Sequence, residues 1–348
     1  MTNNSQNNLL QTTISKAILL WETYGKVYQK GLIIFVKWTI MILSGWYLYN
    51  HVIKNARFKD IIALSATILH NPAAKWLLTV CLALVIVNWA IEAIKWRFLL
   101  KKFTSISFFR SIAAIFCGTT IGIWAPNRTG EYLGRVFFLD DGVRIKGILA
   151  TLIGSISQLV LSLIFGTIGF VYYEKNIDAP AYIQWAAGIS GLLSIVSILF
   201  FYFNFRLIRL WLPLKKWTLP IRKYLVVYKL YKTREFEIVL LLSLFRYLVF
   251  TTQFYLLLGF FGTHIPYLDA MPLIFLMYGI QTVSPSNGFT ELIVRGGTTV
   301  FLFHNFTSNV TAILAASYGL WLINLMIPAL AGACILGFAR INKRLKFI

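Results

Sequence analysis

Six long apolar runs alternate with polar stretches along the chain, at about 31–49, 76–98, 145–172, 181–203, 237–261 and 308–338. A helix needs roughly 20 residues to cross a bilayer core about 30 Å thick, so each run predicts one complete crossing. Two further apolar runs, 108–125 and 270–284, each stop at a proline, Pro126 and Pro285. The pattern predicts an all-α integral membrane protein whose membrane domain spans 31–340. A polar, Asn/Gln-rich segment precedes it at 1–30, and a short basic tail follows at 341–348.

Charge orients these spans. Lys95, Arg97, Lys101 and Lys102 follow the second run, and the segment 204–236 carries nine Lys/Arg against one acid, Glu235. The loops at 173–180 and 262–269 are slightly acidic or lack Lys and Arg. Because basic loops stay in the cytosol, both termini are expected there, in a bacterial-type inner membrane. Only the 50–75 loop, with Lys54, Arg57, Lys59 and Lys75, dissents. Counting 108–125 or 270–284 as a full crossing inverts everything downstream, so each is expected to enter and leave on one face as a re-entrant hairpin.

Composition agrees. The chain is 58% hydrophobic, against about 45–50% for soluble domains, with mean hydropathy +0.71. Its net charge of +21 would suit nucleic acid, but the basic residues cluster at the ends of apolar runs, and no nucleic-acid partner is expected. Aromatic and aliphatic residues interleaved through 204–236 predict amphipathic helices on anionic leaflet lipids. The first thirty residues lack the features of a signal peptide. Cys81, Cys117 and Cys334 lie in apolar runs and His51, His70, His264 and His304 are scattered, so neither disulfides nor a metal site is expected. No cofactor site is visible.

The two interrupted runs are related. Setting Phe103–Pro126 against Gly262–Pro285 aligns Thr104, Ile106, Ile115, Phe116 and Ile121 with Thr263, Ile265, Ile274, Phe275 and Ile280. Each copy then continues with a glycine, Gly130 or Gly288, and a glutamate followed four residues on by arginine: Glu131–Arg135 and Glu291–Arg295. One hairpin follows a span ending in the cytosol, the other a span ending outside. The copies, about 76–172 and 237–338, therefore form an inverted-topology repeat with broken helices at matching places, as in alternating-access transporters.

A broken helix at membrane depth is tolerated where it is buried in protein or lines a wet cavity. Pro126, Gly130, Pro285 and Gly288 are the expected helix-break residues. Arg128, Glu131, Arg135, Arg246, Asn287, Glu291 and Arg295 are the expected substrate-binding set. Arginine suits phosphate because its planar fork bonds two oxygens at once. Arg246, alone well inside a span, wants an anion: Glu291, Glu131 or a lipid phosphate. Each Glu–Arg pair could instead pin its own hairpin near the headgroups. Asn88 and Glu92 share a face with Lys95, where the charges could form an interfacial pair. Gln158, Gln253, Gln281 and Asn324 fit interhelical hydrogen bonding or substrate contact. Asp140–Asp141 could be a metal-binding pair of a transferase or a solvated turn.

At NWAIEAIKWRFLL (88–100), PNRTGE with Arg135, and PSNGFTELIVRGG (285–297) the chain resembles the transmembrane-region family of lysylphosphatidylglycerol synthases, the flippase-like membrane domain of multiple peptide resistance factors. The second hairpin departs from the family's glycine-rich form but keeps Pro285, Gly288 and Glu291. The resemblance implies a lipid flippase, with aminoacylated phosphatidylglycerol or isoprenoid-linked lipids among family substrates. In two-part members a cytosolic synthase domain modifies the lipid. None follows here before Ile348, so modification is expected to occur elsewhere, and the chain is expected not to be an enzyme. The other readings are a membrane transferase using Glu131 or Asp140 on a lipid-linked donor, and a non-transporting scaffold for a lipid-synthase partner.

Overall fold

The structure, a computed structural model, describes residues 71–125, 128–175, 180–204, 230–284 and 290–345, with Ile68 and Tyr228. Helix α1 (Pro72–Leu100) starts at Asn71, whose side chain accepts a hydrogen bond from the Ala73 N–H at 2.9 Å, with proline in the first turn. Both features favour a helix start. Helix α2 (Phe108–Trp124) starts at Ser107, and α3 (Gly130–Val136) follows the break. A 3-10 turn, Asp141–Val143, leads into α4 (Arg144–Lys175), then α5 (Ala181–Phe203). After the basic segment come α6 (Thr233–Phe260), α7 (Tyr267–Val283) and α8 (Thr290–Phe303). Helix α9 (Val310–Trp321) runs through a π turn, Leu322–Met326, into α10 (Ile327–Leu345). The π turn has a local cause. Pro328 has no N–H for the Asn324 carbonyl one helical turn earlier, and its ring crowds that carbonyl, so the helix widens.

Among the described residues, five stretches are long and apolar enough to cross a membrane: Pro72–Leu100, Asp141–Lys175, Ala181–Phe203, Thr233–Phe260 and Val310–Phe338. These match five of the six expected crossings, and the protein is a multi-pass membrane protein, all-helical over the described residues. The expected crossing at 31–49 lies outside the described residues, as do the segment 1–30 and most of the 50–75 loop and of 204–236. Pro126, Pro285, Asn287 and Gly288 lie outside them too.

Helices α1 and α6 lie side by side and antiparallel: Cys81 meets Gln253, Asn88 meets Arg246, Lys95 meets Ser243, and Leu99 meets Tyr231. Helix α2 packs on α10, where Gly332 meets the Phe116 carbonyl, and α7 packs on α4, where Gly279 meets Gly166. Exchanging 72–175 with 233–345 maps these contacts onto one another. Two large apolar cores result, with two small clusters around Val300 and Trp321 beside them. One core joins the start of α1 to α7, α9 and the later part of α6; the other joins the end of α1 to α2, α3 and the starts of α4 and α6. The change of core falls between Cys81 and Trp89 on α1 and between Val239 and Tyr247 on α6. Asn88 sits at the first boundary, and Ser243 and Arg246 at the second. The polar residues form the layer between the cores.

The first hairpin closes through glycines. A Cβ on Gly134 would overlap the Gly118 Cα, and one on Gly130 would stand 2.5 Å from the Ile121 carbonyl oxygen. Gly118 and Gly122 on α2 face Gly130 and Gly134 on α3, the small-residue spacing that lets membrane helices touch backbone to backbone. The left-handed position of the break falls on Arg128, at φ 56, and Gly130 serves the close approach of the limbs. Overpacking of this kind costs about 1–3 kcal/mol or more. Gly134→Val is therefore expected to lower the melting temperature of detergent-purified protein by several degrees. Gly142→Val, with nothing within 4 Å of its Cβ, is expected to leave it unchanged.

Candidate functional site

Glu92 stands at the centre of the polar layer. It lies eight residues before the end of α1 at Leu100, about 12 Å of helix rise, and is 5% exposed. Three cations from three helices converge on its carboxylate. Lys95 Nζ lies 2.7 Å from Oε2, Arg246 Nη1 3.2 Å from Oε2, and Arg135 Nη1 2.8 Å from Oε1. Arg135 also reaches Glu131 Oε2 at 3.5 Å, one turn back on α3. Lys95 lies along Gly154 of α4, where a side chain would press on its Cε, and reaches Ser243 at 3.4 Å. Arg135 sits over the Trp96 ring and Arg246 over that of Trp89. A charge at membrane depth costs about 2.5–3.5 kcal/mol on insertion scales, and mutual pairing offsets that cost.

A chain of amides continues from this cluster. Arg246 Nε donates to Asn88 Oδ1 at 3.0 Å, Asn88 Nδ2 to Asn324 Oδ1 at 3.0 Å, and Asn324 Nδ2 to Gln253 Oε1 at 3.1 Å. Gln253 Nε2 ends the chain on the Cys81 carbonyl. Asn324 reaches this chain from the π turn, a widening often found at functional sites.

The second cluster joins the two hairpins. Arg128 extends from the first break to Glu291 at the start of α8, Nη2 to Oε2 2.6 Å, and Arg295 Nη2 takes the other carboxylate oxygen at 3.1 Å. Both clusters line one cavity of about 510 Å³, together with Gln158, Gln281, Tyr132, Tyr278, Trp89 and Trp321. A second, apolar groove of about 310 Å³ runs between α4, α5 and α7, and shares Val283 with the polar cavity.

The sequence candidates divide accordingly. Arg128, Glu131, Arg135, Arg246, Glu291, Arg295, Asn88, Glu92, Gln158 and Gln281 come together at this cavity. Two expectations need correction. Arg246 pairs with Glu92 and Asn88, not with Glu131 or Glu291, because the antiparallel register of α1 and α6 sets those residues opposite each other. Glu92 and Lys95 do pair, but buried between two cores, and not as an exposed interfacial pair. Asp140 and Asp141 are exposed at the 3-10 turn, where Asp141 pairs with Arg144. The indole and phenol groups of Trp89, Tyr132, Tyr278 and Trp321 were not expected at the site. Trp321, directly before the π turn, was the one with a local signal.

A multi-pass helical membrane protein with an ion-paired polar cavity between two interrupted helices is the class that this fold and site define. The chain belongs to the family described as the lysylphosphatidylglycerol synthase TM region, whose family model matches residues 34–345. No curated protein and no solved structure matches it.

Proposed function

We propose that this protein moves a polar or charged lipid headgroup across the membrane through the ion-paired cavity while the acyl chains stay in the bilayer. It acts as a transporter of a lipid substrate, not as an enzyme. The observation that carries this reading is the convergence of both Glu–Arg motifs on one cavity, with Arg128 of the first break bonded to Glu291 beside the second. Two hairpins that merely pinned themselves would keep their charges apart.

Further support comes from the antiparallel contact of α1 and α6, the spans that precede the hairpins. It agrees with two copies of opposite orientation, as does the distribution of basic loops. Helices α2 and α7 have 17 residues each, about 26 Å of rise, short of a bilayer core and suited to re-entry. The apolar groove beside α5 offers acyl chains a path alongside the headgroup. The same charge distribution favours an inner membrane with both termini in the cytosol, anionic leaflet lipids under 204–236, and access there for a lipid-synthase partner.

Reconstitution in liposomes with fluorescent phospholipids tests the reading. Wild-type protein is expected to exchange headgroups between leaflets, and Glu131→Gln and Arg135→Gln to slow exchange by about tenfold or more, the equivalent of one lost hydrogen bond to a charged group. Undiminished exchange in both variants would rule out the site. No exchange by wild type across several lipid classes would favour a transferase or a scaffold.

A further inference from the structure

We infer that the headgroup taken by this cavity is net anionic and rich in hydrogen-bond acceptors: a phosphate-bearing headgroup with no compensating cation. This rests on the lipid-moving reading above and narrows its substrate class. Two independent features of the cavity wall carry it.

The first is charge. Among the described residues, Lys95, Arg128, Arg135, Arg246 and Arg295 line the cavity against three carboxylates, Glu92, Glu131 and Glu291, a surplus of two positive charges. All three carboxylates are already held by arginines at 2.6–3.5 Å. A cationic headgroup would have to compete with arginines for each of these carboxylates, Glu131 being the most loosely held at 3.5 Å, and would add to the surplus. A phosphate would reduce it.

The second is the hydrogen-bond inventory. Trp89 Nε1, Arg135 Nε, Arg295 Nε, Trp321 Nε1, Gln158 Nε2 and Gln281 Nε2 are buried without a partner among the described residues. Trp89, Arg135, Arg295 and Trp321 are each more than nine-tenths buried. These are all donors, and an indole or guanidinium nitrogen has no acceptor role. Against them stand one plain unpaired acceptor, Gln158 Oε1, the Tyr278 hydroxyl, which can donate or accept, and Glu92 Oε2, which Lys95 and Arg246 already flank. Buried polar groups are normally paired. A wall with this many idle donors is matched by a ligand that brings acceptors, and phosphate oxygens accept from arginine and indole alike. Selectivity thus arises from the imbalance of the wall, which offers a headgroup ammonium few acceptors and a phosphate many donors.

The test uses full-length protein in vesicles with acyl-labelled lipids of identical chains. These are anionic phosphatidylglycerol, zwitterionic phosphatidylethanolamine, cationic lysyl-phosphatidylglycerol and a phosphate-free monoglycosyl diacylglycerol. The anionic lipid is expected to exchange at least tenfold faster than the cationic and phosphate-free lipids. The Trp89→Phe/Trp321→Phe variant, which keeps the rings and loses two donors, is expected to slow it about tenfold. A cationic or phosphate-free lipid moving as fast as phosphatidylglycerol would overturn the inference and leave lipid movement standing. Unaltered exchange in the double variant would also overturn it. No movement of any of the four would overturn the lipid-moving reading itself. Release of entrapped glycerol phosphate at the lipid's rate would assign the anion chemistry to a soluble solute instead.

Discussion

Replacing Glu92 with glutamine is expected to be the most damaging single substitution in the protein. Its carboxylate is the shared counter-ion of Lys95, Arg135 and Arg246, all within 3.2 Å, at a site 5% exposed. Removing the charge leaves three cations facing one another between two apolar cores. Removing one partner of a buried pair costs about 3–5 kcal/mol, a large fraction of a typical net stability of about 5–15 kcal/mol. Glu92→Gln should lose most of its folded yield, or melt well below wild type in detergent. Deleting one of the stranded cations should recover part of the loss. In a double-mutant cycle, Glu92→Gln/Lys95→Met is expected to be more stable than Glu92→Gln alone, and strict additivity would count against a shared counter-ion.

The second large effect concerns function more than folding. Arg128 holds a left-handed backbone, uncommon for a residue other than glycine or asparagine, while its side chain crosses to Glu291. Arg128→Asn keeps a residue that tolerates that backbone and removes the reach. The variant should therefore melt within a few degrees of wild type, because Arg128 is 38% exposed and Glu291 keeps its second partner, Arg295. Lipid exchange should nevertheless fall by about tenfold or more, since the contact joining the two hairpins is gone. Restoring a cross-hairpin pair with reversed charges, Arg128→Glu/Glu291→Arg, tests geometry apart from polarity. Wild-type-like stability without recovery of transport would mark the arginine at 128 as the substrate-facing group.

The long elements were legible because their information is local. A span announces itself through an unbroken apolar run, and α5 fell on its expected bounds of 181–203. The Glu–Arg spacing, one helical turn, predicted the Glu131–Arg135 and Glu291–Arg295 contacts. What stayed hidden is set by register between distant segments. Nothing near Glu92 in sequence points to Arg246; only the antiparallel run of α1 against α6 joins them. Glu92 therefore read as one half of a pair with Lys95 and not as the centre of four charges. The pairing of Arg128 with Glu291 depends likewise on how two hairpins 163 residues apart meet. The glycine spacing in GTTIG (118–122) and GEYLG (130–134) was a readable sign that α2 and α3 touch. Pro328 was a readable cause of the π turn that carries Asn324 to the cavity.

Cross-linking across the cavity tests the central claim most directly. In a background with Cys81, Cys117 and Cys334 replaced, cysteines at Tyr132 of the first hairpin and Thr282 of the second both border the polar space. Bifunctional methanethiosulfonates, which attach through disulfides, should bridge them within one chain in native membranes, arrest lipid exchange, and release it on reduction. Failure to bridge at any linker length, or full exchange in the bridged protein, would contradict a shared cavity as the path of the headgroup.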